Sequence, residues 1–64
     1  MSLKEYYEMT VDITAVDGRS GIGKVNDHIF PEDNENGMES IIVDFPDGTA
    51  QEFYKSDIKS IRII

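Results

Sequence analysis

Tyr7-Glu8-Met9-Thr10-Val11-Asp12-Ile13-Thr14-Ala15-Val16-Asp17-Gly18 is the stretch whose reading decides the fold. Tyr7, Met9, Val11, Ile13 and Ala15 alternate with Glu8, Thr10, Asp12 and Thr14, the two-residue period of a strand with one buried face. Asp17-Gly18 follows as a tight turn, because glycine accepts the positive φ that hairpin turns need. A second strand, from about Arg19 to Phe30, is expected to pair back on the first, with Gly21 and Gly23 removing side chains where a small sheet must bend sharply.

Working outward, Pro31-Glu32-Asp33-Asn34-Glu35-Asn36-Gly37 is a polar run without an apolar anchor and predicts a mobile acidic loop over 31–37. Ile41, Val43 and Phe45 alternate in a third strand closed by Pro46-Asp47-Gly48. A two-residue loop would pair Val43 with Glu52. A three-residue loop with Gly48 left-handed pairs Val43 with Gln51 and Ile41 with Phe53, and is preferred because it keeps the acid off the core face. Thr49 to Tyr54 forms the fourth strand, Lys55-Ser56-Asp57 a turn of tight helix, and Ile58 onward a closing strand in which Ile61 and Ile63 alternate with Ser60 and Arg62. Ser2-Leu3-Lys4-Glu5 has the spacing of a capping box, which predicts one helical turn before the first strand. The alternative for residues 1–5 is a disordered end or a cloning remnant.

The chain has 64 residues, with 13 acidic against 6 basic side chains, a net charge of −7, no cysteine and one histidine. A domain of this length buries only about 60% of the surface its unfolded chain exposes, so residues 1–64 form one small domain with a marginal core. Disulfides and the common zinc sites are excluded by composition, leaving self-association or an unusually regular core as the source of extra stability. No apolar run approaches the roughly 18 residues of a membrane span, so no membrane association is expected. The lack of cysteine fits a reducing compartment, and the expected location is cytoplasmic. The negative charge repels phosphate backbones, and no cluster of basic residues offsets it.

Motifs that carry chemistry fail on their own residues. Gly18-Arg19-Ser20-Gly21-Ile22-Gly23-Lys24 matches a phosphate-binding loop until Val25 stands where a hydroxyl should hold magnesium, and no helix follows. Aligning Gly37 with the glycine of a calcium loop puts Val43 in the place of the bidentate acid. His28 has no chain neighbour that completes a catalytic arrangement, and Glu32/Asp33 lie in a loop too loose for paired acid–base work. The expectation is therefore no enzyme, no cofactor and no metal.

Short strands, glycine bends and a one-turn break before the last strand give an all-β, strongly bent five-stranded barrel. The runs Val11 to Gly18, Gly23-Lys24-Val25, Ser40 to Val43 through Asp47-Gly48, and Asp57-Ile58-Lys59-Ser60-Ile61 resemble an Sm-like or SH3-like barrel over about Tyr7 to Ile64. An Sm-like resemblance implies RNA contact through an Asp and an Asn after the second strand and a basic residue followed by glycine near the last loop. Asp27 and Asn34 are out of that spacing, and Lys55-Ser56-Asp57 lacks the glycine. The expected function is a non-catalytic module for protein interaction or self-association, using Ile42 and Tyr54 on the outer face, Tyr6, or an open strand edge. The alternatives are nucleic-acid binding around Lys24, His28, Phe30 and Lys55, and an acidic mimic that inhibits a nucleic-acid enzyme.

Overall fold

The alternation that predicts the first strand recurs along the chain, and the hydrogen-bonded ladders join five strands into one antiparallel sheet. The computed structural model describes residues 2–64. Its strands are β1 (Thr10–Ala15), β2 (Ser20–Ile29), β3 (Ser40–Asp44), β4 (Ala50–Tyr54) and β5 (Ile58–Ile63), in the order β4-β3-β2-β1-β5. Short 3-10 turns lie at Leu3–Tyr6, Pro31–Asp33 and Lys55–Asp57. The β3–β4 hairpin has the three-residue register, with Val43 opposite Gln51, Ile41 opposite Phe53 and Gly48 at φ 88°.

One face of this sheet supplies the core: Val11, Ile13 and Ala15 from β1, Val25 from β2, Ile41 and Val43 from β3, and Phe53 from β4. A flat five-stranded sheet could not bury that face against itself; this one is strongly bent. At Gly23 a β carbon would lie 2.6 Å from the Asp44 carbonyl oxygen and 2.8 Å from Val43 Cγ1, so only glycine lets β2 pass this close to β3. Further along β2 the register against β3 slips between Val25 and Asp27, a bulge that sharpens the bend and turns the following residues over. A second slip, at Thr14/Ala15, does the same between β1 and β5. The bend stops short of closure: among the described residues no ladder joins β4 to β5.

The N-terminal segment departs from the expected strand. β1 begins at Thr10 rather than Tyr7, because Glu8 adopts φ 65° and breaks the two-residue period. Tyr7 and Met9 consequently turn outward. Tyr6, expected on the outer surface, instead rolls into the core with 5% exposure, beside Leu3 at 3%. The expected single helical turn is present as a 3-10 turn, and Ser2 caps it by accepting from the Lys4 amide rather than through the reciprocal bonds of a capping box. The described part of residues 1–5 thus includes a core residue; Met1 lies outside the described residues.

The 31–37 segment is exposed over most of its length, in keeping with its composition, yet it has an anchor. Asn34 Nδ2 donates to the Met38 carbonyl at 2.7 Å and to the Ser40 hydroxyl at 3.0 Å, and that hydroxyl donates to Glu52 Oε2 at 2.8 Å. A polar residue therefore pins the segment to the outer face of β3 and β4. No helix among the described residues is long and apolar enough to cross a membrane.

The close approach at residue 23 can be tested by substitution. Gly23→Ala is expected to destabilise the domain by about 1–3 kcal/mol, lowering Tm by on the order of 10 °C. Gly21→Ala should cost less, since its β carbon meets the Phe45 ring edge at 3.0 Å rather than backbone. Equal effects in thermal unfolding would remove the special role of residue 23.

Candidate functional site

Two features place polar groups where they act: a buried carboxylate beneath the N-terminal turn, and the unequal treatment of the two sheet edges. Glu39 precedes β3 in the inward phase of Ile41 and Val43. The β2 bulge brings His28 opposite Ile41, so its ring also points inward. Glu39 Oε2 accepts from Ser2 Oγ at 2.8 Å and lies 2.6 Å from His28 Nε2, while Lys55 Nζ stands 4.0 Å from Oε1. The His28 and Glu39 side chains are 5% and 9% exposed. Burial alone would raise the Glu39 pKa. Hydrogen bonds from His28, Ser2 and the Leu3 backbone, together with the charge of His28, outweigh burial and hold it down at about 2.

Serine, histidine and carboxylate are thus together, but in an order unlike that of a nucleophilic triad. There the histidine lies between the other two and takes the serine proton. Here the carboxylate lies between, with Ser2 and His28 on the same oxygen, so His28 has no hydrogen bond to the hydroxyl. What this arrangement does is fasten Ser2, and with it the Leu3–Tyr6 turn, across one end of the core.

At the sheet edges, antiparallel pairing alternates between residues that bond their neighbour and residues whose N–H and C=O point away. On β4 the bonds from Phe45 N to Thr49 O and from Lys55 N to Glu39 O set the phase, so Ala50, Glu52 and Tyr54 face outward. Two of those outward groups are occupied. Arg19 Nη1 donates to the Glu52 carbonyl at 3.4 Å, its guanidinium lying 4.4 Å from the Phe53 ring centre, and the Tyr54 amide donates to Asp57 Oδ2 at 3.1 Å. On β5 the bond from Ile64 N to Thr10 O fixes the opposite set: Ser60 and Arg62 bond β1, and Ile61 and Ile63 face outward. Among the described residues nothing bonds the outward groups of Ile61 or Ile63.

Beside this open edge lies a cleft of about 310 Å³ lined by Leu3, Lys55, Ile58, Lys59, Ser60 and Ile61. Its apolar wall is completed by Leu3 from the turn that Glu39 fastens. β5 itself carries Lys59 and Arg62 and no acid, a local reversal of the chain's charge. Arg62 meets Asp12 at 3.3 Å on the exposed outer face.

The residues expected from sequence are distributed differently. Ile42 and Tyr54 do lie on one outer face, but both are half-buried, and Glu52 sits directly across from Ile42 with Ser40 across from Tyr54. The Glu52 charge, then burial, raise the Tyr54 pKa, which marks this face as acidic rather than apolar. Tyr6 is in the core. Of the nucleic-acid candidates, His28 and Lys55 both approach Glu39, Phe30 packs edge-on against His28 at 4.8 Å, and Lys24 pairs across the sheet with Asp44. The basic members are set beside acids, His28 and Lys55 at Glu39 and Lys24 across from Asp44, and do not line a basic groove. Set against known protein families, curated proteins and solved structures, the chain matches none.

Sequence reasoning passed over Glu39, and reached Ser2 only as a helix cap and Arg19 only within a phosphate-loop pattern. The signal for Glu39 was present, since it shares the phase of Ile41 and Val43; that for His28 depends on the bulge and was not.

Because the folded pKa of Glu39 lies below its ordinary value of 4.5, its stabilising effect is complete above about that pH and is lost as pH falls toward about 2. Glu39→Gln is expected to be less stable at neutral pH by about 1–3 kcal/mol. Its stability should also change less than that of the unsubstituted chain between those two pH values. Parallel acid-unfolding curves for the two proteins would contradict the assignment.

Proposed function

We propose that the chain is a non-catalytic protein-interaction module, a small barrel of the Sm-like or SH3-like kind, that pairs its β5 edge with an extended segment of another protein. The observation that carries this reading is the asymmetry of the edges: on β4 the Glu52 carbonyl and the Tyr54 amide are occupied by Arg19 and Asp57, which interrupts its row of outward groups, whereas among the described residues nothing occupies those of Ile61 and Ile63 on β5. Proteins blunt edges they do not use, and an edge left open beside apolar side chains is the geometry of strand addition.

The same features favour a foreign strand over a second copy. Two β5 edges paired antiparallel through Ile61 and Ile63 would set Arg62 against its counterpart, and β5 against β4 would have to displace Arg19 from the Glu52 carbonyl. Nucleic acid is disfavoured by the net charge of −7 and by the placement of His28 and Lys55 around Glu39.

The reading is tested by native mass from sedimentation across about a hundredfold range of concentration, for the chain and for Ile63→Pro. Proline at residue 63 removes an outward N–H while leaving the β1 ladder intact. A monomer throughout is expected for both. A dimer of the unsubstituted chain that Ile63→Pro dissociates would mean that β5 serves self-association, and would overturn the foreign-partner reading.

A further inference from the structure

We infer that Asn36 is a site of self-modification: the Gly37 backbone nitrogen closes on the Asn36 side-chain carbonyl carbon, ammonia leaves, and water opens the resulting cyclic imide to aspartate and isoaspartate. The inference concerns the 31–37 segment and is independent of the docking role of β5.

The chain has three asparagines, Asn26, Asn34 and Asn36, and the structure treats them differently. Ring closure needs a carboxamide that can turn, a following nitrogen that no side chain shields, and a backbone able to leave its regular dihedrals. Asn26 lies within β2 at the bulge and is followed by Asp27, so it lacks the last two. Asn34 is tied by its own amide, Nδ2 donating to the Met38 carbonyl and the Ser40 hydroxyl, and Glu35 follows it. Asn36 is exposed in a turn and precedes Gly37, where even a β carbon would have open space around it. Glycine at φ 70° moves between conformations that a residue with a side chain reaches only under strain.

The hydrogen bonds at the turn bear on each reacting atom. The Met38 amide donates to Asn36 Oδ1 at 3.0 Å, the oxygen that becomes negative as the carboxamide carbon turns tetrahedral, so the charge develops against a donor already in place. Among the described residues nothing bonds Asn36 Nδ2, and the leaving nitrogen faces solvent. The Gly37 amide donates to the Asn34 carbonyl at 3.0 Å. That bond restrains the attacking nitrogen, and it closes a short turn on an exposed segment, where local opening comes most readily.

The atoms balance with water as the only co-reactant. A bond forms between Gly37 N and Asn36 Cγ, the Cγ–Nδ2 bond breaks, and the proton lost from Gly37 N is carried through solvent to the departing ammonia. Water then adds at one of the two carbonyls beside the imide nitrogen. Opening at Cγ leaves aspartate, and opening at the main-chain carbonyl routes the backbone through the side chain as isoaspartate. Either product adds a negative charge to a chain already at −7. Isoaspartate also lengthens the backbone between Asn34 and Met38, the span closed by the bond from Asn34 Nδ2, and so loosens the anchor on Ser40 and Glu52.

The test is incubation of the full folded chain at mildly alkaline pH, followed by peptide mass mapping with fragmentation that separates aspartate from isoaspartate. Parallel samples are Gly37→Ala and the unsubstituted chain unfolded in urea. The mass gain of an amide becoming an acid is expected first at residue 36, with isoaspartate among the products and with Asn26 and Asn34 still amides. Gly37→Ala should slow the conversion several-fold, because its side chain shields the nitrogen. Unfolding frees the Asn34 amide from Met38 and Ser40, so the preference for residue 36 over residue 34 should fall.

First conversion at Asn26 or Asn34, or aspartate as the sole product, which direct hydrolysis gives, would overturn the inference. So would an unchanged rate in Gly37→Ala, or the same preference folded and unfolded. Conversion at Asn36 in urea but not in the folded chain would overturn it as well, since the bond from Gly37 to Asn34 would then hold the nitrogen shut.

Discussion

A β carbon on residue 23 would sit 2.6 Å from the carbonyl oxygen of Asp44, so β2 can pass over β3 at this distance only with glycine there. From that contact follows the shape of the molecule. A sheet of five short strands has one apolar face and must bend to cover it, and the glycine and the bulge after Val25 together supply the bend. Val11, Ile13, Val25, Ile41, Val43 and Phe53 meet inside the curve, all fully buried.

Bending without closing leaves two ends, of the core and of the sheet, and the chain treats each differently. The core end is covered by the Leu3–Tyr6 turn, fastened through Ser2 to a carboxylate that His28 also contacts. Two short hydrogen bonds to one buried oxygen explain how a 3-10 turn of four residues stays in place. The β4 edge is capped by a guanidinium stacked on Phe53 and by an acid from the next turn. The β5 edge has neither. Its open backbone lies beside the cleft walled by Leu3, so the fastening of the N-terminal turn and the proposed docking surface belong to one arrangement.

Much of this was legible in the sequence. Strict alternation from Val11 to Ala15 and from Ile41 to Phe45, with Asp17-Gly18 and Asp47-Gly48 between strands, carried the class, the strand number and the β3–β4 register, because a one-residue slip there would bury Glu52. The one-turn break at Lys55–Asp57 was legible from its lack of apolar period. The candidate site was not. Glu8 at φ 65° interrupts an alternation that otherwise continues back to Tyr7, exchanging the fates of Tyr6 and Tyr7. The bulge turns His28 inward, although simple alternation from Val25 would turn it outward. Arg19 reaches β4 across more than thirty residues of chain, and no local pattern encodes that contact. The Ile42/Tyr54 face was read as apolar from those two residues alone, although the register places Glu52 opposite Ile42 and Ser40 opposite Tyr54.

The central claim, that the β4 edge is interrupted by caps at Glu52 and Tyr54 while the β5 edge is open at Ile61 and Ile63, is tested most directly by residue-resolved amide hydrogen exchange on the free chain. The account predicts slow exchange at Arg62 and Ile64, which bond β1, and at Tyr54, which bonds Asp57, with Ile61 and Ile63 exchanging as fast as the outward Ala50 and Glu52 amides of β4. Protection of Ile61 and Ile63 equal to that of Arg62 would contradict it, since β5 would then already have a partner.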